Sequence, residues 1–430
     1  MELKIISAEQ FRLERATFHT NADEPHFDKS VLEIIDTVRK EGDSGIRQLT
    51  QQFDGVDVAE LTVTMEEFAV ASQQVEQDFV KAIRQAEENI TAFHRCQVEQ
   101  SWFTESQPGI VLGQKVTPIE KVGIYVPGGK ASYPSTVLMN AIPAKLAGVK
   151  SISISTPPGP DGSVSPYVLV AASMLGINRI YKIGGAQAIA ALAYGTETVE
   201  KVDKIVGPGN AYVARAKKWV YGDVAIDMIA GPSEICIVAD ETANPKFVAA
   251  DLLSQAEHDE EASTYCITAS PTIAKNIAFE VQHQLKEFER KDIAQASIRN
   301  KGRIIVVKNE QEAFEIVNMI APEHLQLMIN NPTDKVMNIH HAGAIFIGNY
   351  SPEPLGDYFA GPNHTLPTNG TARFSSPLGV YDFVKRSSII HYSKKALMDA
   401  SESIACLAET EGLHGHANSI RIRKENEYAK

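Results

Sequence analysis

VGIYVPGG, residues 122–129, reads as a strand that runs directly into a glycine-rich turn. The segments after it decide the fold class. Residues 135–146 read as a helix, SISIST at 151–156 as a strand, and residues 166–175 as a second helix. RIYKIG at 179–184 is a strand again, with a helix over 186–193. Strands alternating with helices argue for a parallel sheet covered by helices. The texture then recurs. ICIVAD (235–240), TYCITAS (264–270), GRIIVVK (302–308) and GAIFIG (343–348) are strands, separated by helices over 245–256, 272–288 and 311–319. Two successive α/β units are expected, as from an old duplication, although no residue identity links them by eye.

Outward from this centre the chain changes character. The first 110 residues read as mostly helical, with one amphipathic stretch over 32–53 that ends at Asp54-Gly55. Thr64 and Glu67 have the spacing of a capping box and predict a helix after them. Residues 351–378 are dense in Gly, Pro, Asn and Thr, and so long a loop usually carries function. Ser393 caps a helix predicted over residues 394–409, and the tail after Glu411 reads as short and polar. A helix of that size cannot fold alone, so it is expected to dock on another domain or subunit. The regions are 1–118 (mostly helical), 119–232 and 233–375 (the two α/β domains) and 376–430 (a C-terminal helical tail).

The gross numbers exclude several classes. The chain has 430 residues, too many for one ordinary core, with 43% hydrophobic and 22% charged residues, as in globular proteins. A net charge of −13 without a basic run disfavours nucleic acid and anionic membranes as partners. No apolar run approaches the roughly 20 residues of a membrane span, and the N-terminus lacks the form of a signal peptide. Cys96, Cys236, Cys266 and Cys406 form no CxxC pair, which fits free thiols in a reducing cytoplasm.

The residues that carry chemistry are scattered. Gln255 and His258 lie in LLSQAEHD, three apart near a helix end. APEHL places Pro322 at a predicted helix start, with Glu323 and His324 after it. GDYFAGPNHTLPT presents Asp357 and His364 on a rigid loop, and EGLHGH holds Glu411, His414 and His416. No spacing of the H-E-x-x-H kind joins them, so any shared site must be assembled by the fold. Nitrogen and oxygen donors of this kind suit a catalytic zinc or a similar divalent ion. Taken singly, each motif reads as easily as a helix end, a cap or a tight turn. Glycine turns at Gly128-Gly129, Gly184-Gly185 and Gly207–Asn210 stand where nucleotides gather in doubly wound sheets. None matches G-x-G-x-x-G.

Together these segments resemble the histidinol dehydrogenase family. GIYVPGG, GGAQAIAALAYGTE, DKIVGPGN, AGPSE, LLSQAEH, APEHL, GDYxAGPNHxLPT and EGLxxH stand in the family's order over roughly residues 120 to 416. The resemblance implies two tandem, incomplete Rossmann-like parallel-sheet domains, plus small N-terminal helical and C-terminal tail domains. It implies zinc, one per subunit, on Gln255, His258, Asp357 and His416, the last delivered from the partner of a homodimer. Glu323 and His324 are then the proton-transfer pair. Ser233 and Glu411 are further contacts to L-histidinol, which Gln255, His258, His324, Asp357 and His416 also approach. Tyr125, Gln187 and Asn210 become the NAD-contacting positions. Many relatives carry a Cys where this chain has Val149, so a thiohemiacetal at that position is impossible here. Cys236 is expected in the core. Family spacing selects His416 over His414.

The implied reaction is a four-electron oxidation of L-histidinol through histidinaldehyde with two NAD⁺. An imidazole titrating near neutrality makes His324 the natural base, and Glu323 is left to activate water for the second step. Two other readings stay open on the residues themselves. One is a zinc hydrolase with Glu323 as base, and the other is a zinc-tethered binding dimer.

Overall fold

Burial explains why the central strands form where they do. Glu234–Ala239 and His324–Met328 are buried along their whole length, as strands covered on both faces must be. The computed structural model describes residues 3–17, 24–128 and 132–425. Numbered along the chain, the strands are β1 (Lys4–Ser7), β2 (Trp102–Gln107), β3 (Ile110–Pro118), β4 (Lys121–Tyr125), β5 (Ser151–Thr156), β6 (Ile180–Lys182) and β7 (Lys204–Val206). They continue with β8 (Ala225–Ile226), β9 (Glu234–Ala239), β10 (Ser263–Thr268), β11 (Arg303–Val306), β12 (His324–Met328), β13 (Ala344–Ile347) and β14 (Val384–Tyr392).

The chain divides into two compact units, Met1–Gln97 with Ile119–Phe383, and Val98–Pro118 with Val384–Lys430. The first unit holds two sheets. One is five-stranded, in the order β6-β5-β4-β7-β8, and the other six-stranded, in the order β1-β11-β10-β9-β12-β13. Every strand pair in both is parallel. With the added edge strand β1 set aside, each sheet runs 3-2-1-4-5 in its own numbering, the doubly wound order without its sixth strand. The duplication invisible in residue identity is thus plain in topology. Side chains alternate between two apolar layers. Ile235, Ile237 and Ala239 pack with Leu252 and Ala256, while Cys236 and Val238 pack with Phe314 and Val317. Cys236 is a core residue, as its place in a strand predicted, and all four cysteines are free. No described helix is long and apolar enough to cross a membrane.

The start signals act as read. Thr64 and Glu67 form a reciprocal capping box before the helix Met65–Gln74, and Ser393 caps Lys394–Thr410. Other expectations need correction. Residues 1–118 do not stay together, because β1 adds an edge to the second parallel sheet and β2 and β3 belong to the second unit. There β14 pairs antiparallel with β3 over its full length, from Val384↔Pro118 to Tyr392↔Ile110, and β2 lines the other side. These strands are mostly exposed, so they lack the apolar run that marks the central ones. The tail is not merely polar either. It forms the helix His414–Glu425, whose Ala417 packs on Ala405 and Ala408 of Lys394–Thr410.

One buried ion pair pins the GPGN turn. Lys217 and Asp227 have side chains 2% and 1% exposed and contact each other directly. Lys217 Nζ donates to the Gly207 carbonyl at 3.0 Å, and Asp227 accepts the Gly207 N–H at 2.8 Å. Gly207 has φ 111°, and a Cβ there would lie 2.1 Å from the Tyr125 oxygen. Replacing Lys217 by Met should therefore cost about 3–5 kcal/mol, because Asp227 is left buried and uncompensated. Urea unfolding checks this, and the double variant with Asp227→Leu should recover much of the loss.

Candidate active site

The first sheet opens a cavity of about 880 Å³ at the carboxyl ends of its strands. Tyr125 ends β4, Pro157 follows β5, Gly185 and Gln187 follow β6, and Asn210 follows β7, and all of them line it. Tyr125, Gln187 and Asn210 are thus brought to one place. Gly185 N–H donates to the Tyr125 hydroxyl at 3.0 Å, and burial pushes that phenol up to about 12. The Asn210 side chain accepts from Tyr212 N and Val213 N, so it opens the helix Ala211–Val220. Among the described lining residues there is no Lys, Arg or His. Positive potential comes instead from the helix N-termini at Gly185 and Ala211. Gly128 and Gly184 admit no side chain, since a Cβ would meet Pro157 at 2.4 and 2.6 Å. Gly129, the second glycine of its turn, lies outside the described residues.

The second sheet has its polar cluster at the opposite ends of its strands. Glu323 immediately precedes β12 and His324 opens it, beside Glu234 at the start of β9. His324 Nδ1 is 3.2 Å from the Glu234 carbonyl, and Glu323 Oε2 accepts the Glu234 N–H at 3.0 Å. The Glu323 carboxylate is 3.7 Å from His324 Nδ1, and Asp357 Oδ1 is 3.8 Å from His324 Nε2. That Nε2 has no hydrogen-bond partner. Donor atoms of His324, Glu353 and Asp357 all lie within 4.8 Å of one another. Ser254 donates to Glu353 at 3.4 Å. Its neighbour Gln255 is fully buried, with neither amide atom partnered. His258 is exposed overall, yet its imidazole lies in the field of Asp357 and His324. His364 meets the Asp357 carbonyl through Nδ1 at 3.1 Å.

Burial and crowded carboxylates set the electrostatics. Desolvation raises Glu323 to about 7, with His324 opposing, and Glu353 to about 8, with Asp357 adding to the rise. Burial alone would depress His324, but Glu323 and Asp357 outweigh it and push it up to about 10. Asp357 is held below the usual carboxylate range because the imidazoles outweigh its own burial. Three carboxylates around one imidazolium form a site short of positive charge. Gln255 and His258 come from the C-terminal end of the helix Pro245–Ala256, where the backbone dipole also favours a cation. An orphaned amide, an imidazole and a carboxylate are a donor set that fits a borderline divalent ion.

A family model described as histidinol dehydrogenase matches residues 18–424. The chain belongs to the histidinol dehydrogenase family. It is 55% identical to a histidinol dehydrogenase of Oceanobacillus iheyensis, over 99% of this chain and all of that protein. It is equally similar to one from Bacillus subtilis, at 55% identity over 99% of both chains. The crystal structure of histidinol dehydrogenase from Elizabethkingia anophelis superposes with a TM-score of 0.90 at 41% identity, covering 93% of this chain and 92% of that one. Membership of this family removes the hydrolase and the binding-module readings.

Several local expectations differ from what this family member shows. APEHL does not start a helix. Ala321, at φ 52°, ends the helix Glu310–Ile320, and His324 begins the buried β12. Asp357 sits in a six-residue helix, Glu353–Tyr358, rather than in an open loop. His258 falls just beyond its helix, which ends at Ala256. Glu411 and His416 are exposed residues of the second unit, at the end of Lys394–Thr410 and in His414–Glu425. Ser233 precedes β9, and its carbonyl accepts from Ser263 at 3.0 Å. Sequence reasoning missed Glu353 and Glu234. The first had a usable signal, since it stands four residues before Asp357 on one helix face.

Glu323, Glu353 and His324 all hold protons more tightly folded than unfolded. Folded protein therefore carries excess protons from about pH 4.5, the free glutamate value, up to the raised His324 value. Their stability contribution is present below that window and is lost as pH rises through it. Thermal denaturation of metal-free protein should show a melting temperature that falls steadily from pH 6.5 to 9. Glu353→Gln should flatten the fall, and a pH-independent wild type would contradict the charge assignment.

Proposed function

We propose that the chain oxidises L-histidinol to L-histidine through histidinaldehyde, reducing two NAD⁺, in the last steps of histidine biosynthesis. Family membership along nearly the whole chain supports the reaction. The observation that carries the chemistry is a buried imidazole with one nitrogen on a carbonyl and the other unpartnered. A carbonyl can only accept, so neutral His324 keeps its proton on Nδ1 and offers the Nε2 lone pair.

In the first oxidation His324 takes the alcohol proton at Nε2 as hydride leaves the carbinol carbon. It can do so only when neutral, which requires its carboxylate neighbours to be balanced by charge other than its own proton. In the second, Glu323 accepts a proton from the water that adds to the aldehyde, and its pKa near 7 suits that task. As the water adds, His324 returns its first proton to the aldehyde oxygen. The neutral imidazole then takes a proton of the resulting diol as the second hydride departs to a second NAD⁺. Tyr125, Gln187 and Asn210 hold NAD⁺, the hydride acceptor, and helix N-termini at the same strand ends take its phosphates. Zinc on Gln255, His258, Asp357 and His416 of the partner subunit would anchor and orient the substrate's nitrogen atoms. Ser233 and the partner's Glu411 complete the substrate contacts. The exposure of Glu411 and His416 in a single chain agrees with their serving a neighbour in a homodimer. Unpaired cysteines agree with a cytoplasmic enzyme.

Reduction of NAD⁺ on addition of L-histidinol, followed at the NADH absorbance band, tests the reaction directly. His324→Ala should lose both oxidations by about 10² to 10⁴, the worth of a general base. Glu323→Gln should spare alcohol oxidation more than aldehyde oxidation, because only the second step needs activated water. Separate assays on histidinol and histidinaldehyde resolve the two, and equal losses would end this division of labour.

The shared site has its own test. Homodimers of His258→Ala or of His416→Ala should be nearly inactive. A mixed dimer has one doubly defective site and one intact site. Random pairing on co-refolding makes about half the dimers mixed, so about a quarter of wild-type site activity should return. An inactive mixture with mixed dimers demonstrably present would place His416 in its own chain's site or outside any site.

A further inference from the structure

Glu234 opens β9, is only 6% exposed, and is tied to Glu323 through its peptide N–H. That N–H donates to Glu323 Oε2 at 3.0 Å. Its carbonyl meets His324 Nδ1 at 3.2 Å. One residue therefore touches both members of the proton-transfer pair through its main chain.

The rest of its surroundings hold that main chain still. On the far side Ser233 C=O accepts from Ser263 N, so the preceding peptide is fastened to β10. Toward β12 the regular ladder starts only at Ile235↔His324, and Glu323 fills the missing rung with its side chain. The Glu234 carboxylate accepts the Gly370 N–H at 3.3 Å. Asn369 and Gly370 have φ 54° and 76°, an unusual pair of left-handed residues that turn the Gly370 N–H to this anion. Thr368 Oγ1 accepts from Gly231 N at 2.6 Å and fastens the same two loops a second time. Arg15, whose guanidinium donates to the Ile320 carbonyl at 3.1 Å, supplies the compensating charge. A residue kept for packing alone would be apolar here, since burying a carboxylate is costly.

We propose that Glu234 is a positioning residue for the reaction, setting the Glu323 carboxylate and the Nδ1–H tautomer of His324 at once. This rests on the oxidation proposed above. The side chain touches no reacting atom, and its effect passes through the two groups it holds.

The test compares Glu234→Met, which fills the same space without an acceptor, with Glu234→Gln, whose amide oxygen still accepts from Gly370. Both are assayed as metal-replete enzyme, with circular dichroism for folding and calorimetric histidinol stoichiometry for the active fraction. The Met variant should lower kcat for both oxidations by about 10- to 100-fold, the usual scale for outer-layer partners. Its dissociation constants for histidinol and NAD⁺ should be unchanged, and its solvent deuterium isotope effect on kcat should rise as proton transfer becomes limiting. The Gln variant should recover most of that loss. If Glu234→Met does not fold, Glu234→Ala takes its place. A folded, binding-competent apolar variant with wild-type kcat and isotope effect overturns the proposal. So does a Gln variant as impaired as the apolar one. A wild-type enzyme that fails to reduce NAD⁺ with histidinol would instead overturn the reaction, and this role with it.

Discussion

The polarity of a parallel sheet is the constraint on which both halves of this molecule depend. All strands of such a sheet point one way, and the helices that return between them point the other. Helix N-termini therefore gather at the carboxyl ends of the strands, and helix C-termini at the amino ends. The first sheet uses its carboxyl ends, where Gly185 and Ala211 begin helices over the cavity. The second sheet uses its amino ends, where Gln255 closes a helix and His324 opens a strand. One end suits an anion and the other a cation, and neither requires a dedicated basic or acidic loop. The same 3-2-1-4-5 plan, used from opposite ends, yields two different sites.

The cation end comes at an electrostatic cost. Glu323, Glu353 and Asp357 crowd around one imidazole, in a place where desolvation already penalises charge. Without a metal the nearest compensation is a proton on His324, which is the wrong protonation state for a base. Catalytic competence and the stability of the metal-free fold therefore pull in opposite directions. Strain of this sort is commonly concentrated at functional sites, where the surrounding structure over-determines it. Here the surrounding structure is the rung of backbone at Glu234, clamped by loops from distant parts of the chain.

Much of the first unit was legible because its signals are local. Strands buried on both faces read as apolar runs, and Thr64 is a start signal with a mechanism. The errors fall where the local signal is weak or shared. β2 and β14 are exposed, and the partners that make them strands are found by tertiary pairing, β14 with β3 across more than 260 residues of chain. HLQLM was hidden behind Pro322, which marks a helix start and a helix end alike.

For the site, the sequence alone determined which residue types are present and which turns are rigid, and the ordered motifs identified the family. Tyr125, Gln187 and Asn210 were named there, as were Glu323, His324 and Asp357. Only the tertiary structure decided that the first three line one cavity, and that the last three meet Glu353 beside an unpartnered Gln255. Only it revealed Glu234, whose part is played by a peptide group that every residue possesses. Periodicity and composition report what a side chain is. They are silent on where a strand ends relative to its neighbour, and that offset of one rung aims Glu323 and His324.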